Sequence, residues 1–152
     1  MFAGKSARRA ALALALGIAT LVIVAPPASA GHDGTCNYAI EDGDVCLYRL
    51  ANFTGGMLDF TRSDRNYTSA ADVFYSSAGV PTSTNINDQA TSIVNYEGYC
   101  EWWFYTDAEW GGYGFTMGNI QQSWSNIGTW DNRLSSHYKW TGWTECTNGS
   151  TG

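Results

Sequence analysis

The chain has 152 residues with 14 acidic and 8 basic side chains, a formal net charge of −6, and 17 glycines, 7 tryptophans and 9 tyrosines. An acidic balance argues against nucleic acid as a partner, because phosphate-backbone binding relies on neutralisation by Lys and Arg. The length allows one domain with a modest core.

Lys5, Arg8 and Arg9 precede an apolar run from Ala10 to Ala25 that ends at Pro26-Pro27 and the small residues Ala28-Ser29-Ala30. This pattern predicts a secretory signal peptide over residues 1–30, cleaved before Gly31, and the run is short for a bilayer span. The expected mature chain has 122 residues, is secreted and extracellular, and has no membrane attachment. Removing the leader leaves five basic against fourteen acidic residues, a net charge of −9.

Residues 31–45 read as an N-terminal segment with a disulfide loop, 46–146 as the folded domain and 147–152 as a flexible tail. The cysteines Cys36, Cys46, Cys100 and Cys146 all follow the leader. An even count in an exported chain implies two disulfides, with three connectivities open. Cys36 with Cys46 and Cys100 with Cys146 is the favoured pairing; the first closes a short loop and the second ties the start of the second half to the end of the domain. A Cys/His zinc site fails on spacing, since no close cysteine pair exists and His32 and His137 lie far apart.

Strand candidates follow in order at Cys46 to Leu50, Met57 to Arg62, Thr91 to Tyr96 and Glu101 to Thr106, bounded by Gly, Asn and Asp turns. Period-two alternation is clearest over 113–118 and 134–141, where Leu134, Ser136, Tyr138 and Trp140 oppose Ser135, His137, Lys139 and Thr141. The adjacent Trp102 and Trp103 should point to opposite sides of a strand. Nothing after the leader shows a sustained helical period, so the class is all-β, sandwich or barrel.

Two patterns occur twice. Tyr48-x4-Phe53-x-Gly55 and Tyr105-x4-Trp110-x-Gly112 are aromatic hairpins. Each is followed by an oxygen-rich hexamer, Asn87-Asp88-Gln89-Ala90-Thr91-Ser92 and then Asp131-Asn132-Arg133-Leu134-Ser135-Ser136. A repeated pair in the same order marks a duplicated unit, with motifs at about 46–98 and 99–146. From hairpin Tyr to hexamer is 39 residues in the first half and 26 in the second. The first half therefore carries an insertion, placed within Ser63 to Thr84 and read as a surface loop. Two Asn/Asp side chains and a hydroxyl in one turn suit a hard cation, calcium better than magnesium; the same residues also cap turns by bonding to local backbone.

The paired hairpins and N/D-N/D-x-x-S/T-S hexamers resemble the microbial βγ-crystallin domains over roughly Cys46 to Trp140. The resemblance implies a βγ-crystallin-like double Greek-key β-sandwich with two Ca2+ sites. Asn87 and Asp131 would open the sites, with Asp88 and Asn132 adjoining. Gln89 and Arg133 would offer backbone carbonyls, and Thr91 and Ser135 hydroxyls. A carbonyl from the partner motif's hairpin, near Ala51 to Asn52 or Ala108 to Glu109, would complete each site. The exported location, the Cys36…Cys46-Leu47-Tyr48 spacing, the first hexamer running into Ser92-Ile93-Val94-Asn95 and the second near the C-terminus resemble the secreted actinobacterial proteins of peptidase inhibitor family I36. That resemblance implies a non-enzymatic inhibitor whose partner is an extracellular metallopeptidase; a monomer is expected.

Inhibition needs an exposed loop held rigid, so that binding orders little; Ser63 to Thr84 and the segment at Tyr99, Cys100 and Glu101 qualify. The alternative is an extracellular calcium-binding or carbohydrate- or cell-wall-binding module without inhibitory activity, using the abundant aromatic rings as a sugar platform. Ser135 and His137 sit two apart but lack a nucleophile elbow and a third member, so no enzyme is expected and His137 reads as a strand-surface residue.

Overall fold

The computed structural model describes residues 32–39, 43–118 and 121–140. The expected leader, Cys146 and the C-terminal tail lie outside them, so the pairing favoured for Cys100 does too, although Cys100 is disulfide-bonded. Cys36 and Cys46 are joined as expected.

Among the described residues nine strands form: β1 (Val45–Leu50), β2 (Thr54–Phe60), β3 (Val73–Tyr75), β4 (Pro81–Asn85), β5 (Ser92–Asn95), β6 (Glu101–Tyr105), β7 (Gly114–Met117), β8 (Ser123–Trp124) and β9 (Ser136–Trp140). They build a six-stranded sheet in the order β4-β3-β2-β1-β5-β8 and a three-stranded sheet in the order β7-β6-β9. Alternation drives the packing between them. Val45, Leu47, Leu58, Phe60 and Ile93 of one sheet meet Trp102, Phe104 and Met117 of the other in a single buried cluster. Trp102 is fully buried and Trp103 is 40% exposed, as period two requires.

The two halves are interlocked. β8, from the second half, pairs with β5 of the first through Ile93↔Trp124 and Val94↔Ser123. In return the first half sends a segment to β9, where Asp64 and His137 exchange both backbone hydrogen bonds at 2.8 and 3.0 Å. The hexamers meet at this exchange: Asp88 N donates to Leu134 O, and Asn132 N donates to Ala90 O, both at 2.9 Å.

The duplication is written in the backbone as well. Asn52, Phe53 and Gly55 in the first hairpin and Glu109, Trp110 and Gly112 in the second all have positive φ. Such a run in non-glycine residues is costly unless the surroundings enforce it. The last serine of each hexamer does so. Ser92 Oγ donates to Leu50 O at 2.7 Å and accepts from Phe53 N at 3.1 Å. Ser136 Oγ donates to Asp107 O at 2.7 Å and accepts from Trp110 N at 3.2 Å. Only glycine fits the third left-handed position, since a Cβ on Gly55 would lie 2.5 Å from Leu50 Cγ and one on Gly112 2.3 Å from Thr106 Oγ1.

Two expectations need correction. The insertion is not a plain loop: it carries the β3-β4 hairpin, extends the first sheet, and contributes Phe74 and the preceding Tyr67 to the core. Its polar composition hid two short strands, of whose residues only Phe74 is buried. His137 is not on the surface but fully buried. In β9 the inward face is the polar one, His137 and Lys139, while Tyr138 and Trp140 face outward and remain partly exposed.

Removing either stapling hydroxyl leaves a part-buried carbonyl and amide short of a partner. Ser92→Ala and Ser136→Ala should each cost about 1–3 kcal/mol, read as a lower denaturation midpoint, and losses below about 0.5 kcal/mol in both would contradict the role.

Candidate functional site

The hexamers place their fifth residues across the boundary between halves. Thr91 Oγ1 donates to Asp131 Oδ1 at 2.6 Å, and Ser135 Oγ donates to Asp88 Oδ1 at 3.4 Å. Each hydroxyl thus meets a carboxylate of the opposite hexamer. Asn87 Nδ2 donates to Asp88 Oδ2 at 2.9 Å. Asp88 and Asn132 occupy the same left-handed conformation, with φ of 54° at both. Gln89 N donates to Ile86 O at 3.0 Å and Arg133 Nη1 to Thr129 O at 3.4 Å, so both sit in the same loops as the carboxylates. Thr91 and Ser135 are buried, whereas Asp88, Asn132 and Arg133 are exposed and Asn87, Gln89 and Asp131 half-buried. The arrangement supplies two clusters of oxygen donors, open on one side, whose chemistry fits a hard cation.

A second polar group lies inside the sandwich. Lys139 and Glu97, both fully buried, form an ion pair at 2.6 Å, and Lys139 Nζ also donates to Thr61 O at 3.1 Å. Beside them His137 Nε2 contacts Arg62 O at 2.7 Å and its Nδ1 contacts Tyr67 Oη at 2.6 Å. A carbonyl only accepts, so Nε2 carries the proton and the Tyr67 hydroxyl donates to Nδ1. His137 is therefore a satisfied core histidine. Its ring does not engage Ser135, whose hydroxyl is directed to Asp88, and the pair does not form a nucleophile and base.

Sequence reasoning passed over a third group at one end of β2 and β3, His32 with Asp64 and Asp72. The only signal for it is the count of acidic residues in the insertion, because His32 lies 32 residues before Asp64 in sequence. Between the first hairpin and the insertion lies an open groove of about 400 Å³ bordered by Tyr48, Phe53 and Tyr75. The insertion's tip is tight, with Ser76 N donating to Val80 O and Gly79 N to Ser76 O, both at 2.9 Å. Val80 at this tip is 58% exposed, and Tyr99, next to the disulfide-bonded Cys100, is 63% exposed.

The chain matches the model of peptidase inhibitor family I36 over residues 37–117, more than half its length. No curated protein matches it. A domain solved in work on the evolution of the eye lens βγ-crystallin fold aligns with a TM-score of 0.52 at 18% identity, covering 71% of this chain and 94% of its own. A βγ-crystallin domain from Flavobacterium johnsoniae aligns at 25% identity with a TM-score of 0.47, covering 66% of this chain and 97% of its own. An archaeal βγ-crystallin aligns at 25% identity with a TM-score of 0.46, over 62% of this chain and 93% of its own. The fold is that of the βγ-crystallin domain.

Burial holds the His137 pKa down at about 4, against the opposing charge of Asp64 and the hydrogen bond to Arg62 O, with His32 and Lys139 adding to the depression. The folded protein keeps this imidazole neutral while the unfolded chain protonates near 6.5. Stability linked to His137 is therefore full above about 6.5 and falls as pH drops towards 4, by on the order of 3 kcal/mol. Histidine NMR should show one ring that does not titrate between pH 8 and 5; a midpoint near 6.5 for His137 would contradict its burial.

Proposed function

The chain belongs to peptidase inhibitor family I36, and we propose that it is exported, catalyses nothing itself, and inhibits an extracellular metallopeptidase as a monomer. The family match carries this reading, and the shape of the molecule supports it. An inhibitor gains affinity from a contact loop that is already ordered. The tip at Ser76 to Val80 is held by its own hydrogen bonds at the end of two sheet-bound strands, and presents an exposed Val80. We place the contact there rather than at Tyr99.

Calcium belongs to the same reading as a brace. One ion would take the Thr91 hydroxyl and the Asp131 carboxylate, and a second the Ser135 hydroxyl and the Asp88 carboxylate, with the Asn87 and Asn132 side chains and the Gln89 and Arg133 carbonyls adjoining. When bound, the ions supply a positive charge that ties the opposing hexamers together. The protein's own part is to hold carboxylates from one half against hydroxyls from the other.

The competing reading is a carbohydrate- or cell-wall-binding module. One observation favours it: Trp103, 40% exposed, lies opposite Tyr138 on the outer face of the second sheet, with the Trp140 ring 5.7 Å from that of Tyr138.

Titration of a thermolysin-type peptidase should show saturable loss of activity, and Val80→Asp should weaken it about tenfold or more while Tyr99→Ser does not. Undiminished peptidase activity at micromolar protein, together with co-sedimentation on insoluble chitin or peptidoglycan, would favour the competing module.

Calcium titration should give heats for two sites and raise the melting temperature, with a stabilisation of about 2.7 kcal/mol when calcium is a hundredfold above Kd. Asp88→Ala with Asp131→Ala should abolish both signals. Absence of heat and of any melting shift in the unaltered chain would rule out the calcium brace.

A further inference from the structure

We infer that His32, Asp64 and Asp72 form a binding site for a zinc-class divalent cation, separate from the hexamers, which clamps the N-terminal segment to the inserted hairpin. The three residues come from three different places: the segment before β1, the crossing segment that meets β9, and the turn just before β3. Their ligand atoms all lie within 4.8 Å of one another.

The observation that separates this group from an ordinary acidic cluster is burial of polar atoms that no hydrogen bond satisfies. The side chains of His32 and Asp72 are 2% and 4% exposed. Yet His32 Nε2 and Asp72 Oδ2 make no hydrogen bond among the described residues. Buried polar atoms are rarely left so, because each unmet group carries its full desolvation cost.

The rest of the imidazole is arranged as a ligand requires. His32 Nδ1 contacts the Asp59 carbonyl, which can only accept, so Nδ1 carries a proton, and in the neutral ring that a cation requires the Nε2 lone pair faces the carboxylates. Donation from the remote ring nitrogen to a backbone carbonyl is the usual way in which a metal-binding histidine is oriented. Asp59 is fixed in turn, its carboxylate accepting from Asp33 N and Gly34 N at 2.9 Å each, and the His32 ring packs edge-on against Phe60 at 4.6 Å. Asp64 receives a hydrogen bond from Asn66 N at 2.8 Å on Oδ1.

An ion pair alone accounts for less of this. His32 Nε2 stands 3.4 Å from Asp72 Oδ1. A protonated imidazole there would balance only one of the two carboxylates and leave Asp72 Oδ2 unmet. A divalent cation with a neutral imidazole balances both. One nitrogen and two carboxylate oxygens suit zinc and its first-row neighbours, whereas calcium and magnesium favour all-oxygen sites. Bonds of about 2.0–2.2 Å require the widest ligand pair to close by roughly 1 Å. The partial exposure of Asp64 leaves a side for water to complete the coordination.

The test uses the untagged protein, stripped with a chelator and titrated with zinc by calorimetry in excess calcium, so that the hexamers are not available to it. One zinc per chain is expected, with a rise in melting temperature, and cobalt in place of zinc should give visible d–d absorption. His32→Gln and Asp72→Asn should each weaken zinc by at least about tenfold, while Asp131→Ala leaves it unchanged. Asp64→Asn, at a less buried position, serves if either variant fails to fold. Absence of saturable zinc heat and of a zinc-dependent melting shift, or full zinc affinity in a folded His32→Gln variant, would overturn the site.

Discussion

At Asp64 and His137 the backbone of the first half joins the last strand of the second, and at β8 the second half repays the exchange beside β5. Much else in the molecule is a consequence of this crossing. The first sheet takes its outer strand β8 from the second half, and the second sheet gains the Asp64 bridge from the first, so the two sheets are joined by exchange across a core of modest size. The crossing also brings the hexamers face to face, through the paired amides of Asp88 and Asn132, and so puts Thr91 beside Asp131 and Ser135 beside Asp88. Left-handed turns locked by Ser92 and Ser136 then fix each hairpin against the strand that crosses to it: Asn52 N donates to Ser125 O at 2.8 Å, and Glu109 N to Arg65 O at 2.7 Å.

The polar interior follows from the same exchange. The segment from Thr61 to Tyr67 brings two carbonyls and a phenol against the inward face of β9, and these satisfy His137 and Lys139. Glu97, in the link between the halves, supplies the counter-charge. A buried ion pair is weak evidence for net stability, since desolvation offsets its attraction, but loss of one partner is costly because the other charge is left unpaired. The Lys139–Glu97 pair therefore penalises any arrangement in which the link and the last strand are out of register.

Features carried by local pattern were legible in the sequence. The duplicated hairpins, the hexamers, the all-β class and most strands follow from spacing and alternation, and Trp102 and Trp103 fall on the sides that period two assigns. Features whose partners are distant were not. His137 and Lys139 look like solvent-facing residues until the crossing segment covers them. The β3-β4 hairpin was hidden because its strands are short and set in a polar stretch, and only Phe74 of either strand is buried. The grouping of His32 with Asp64 and Asp72 depends on three contacts between remote segments. In the hexamers the residue types were readable, but the pairing of each hydroxyl with the opposite carboxylate emerges only from the fold.

The scaffold and the proposed contact surface lie in different places: the hexamers and staples join the two halves, and the inserted hairpin extends the first sheet at its edge. Native-state hydrogen exchange tests the central claim most directly. If the halves are interlocked, the amides of Asp64, Thr91, Ile127 and His137 should exchange only through global unfolding, with one common free energy across both motifs. Exchange of one motif at a distinctly lower free energy than the other would contradict the account.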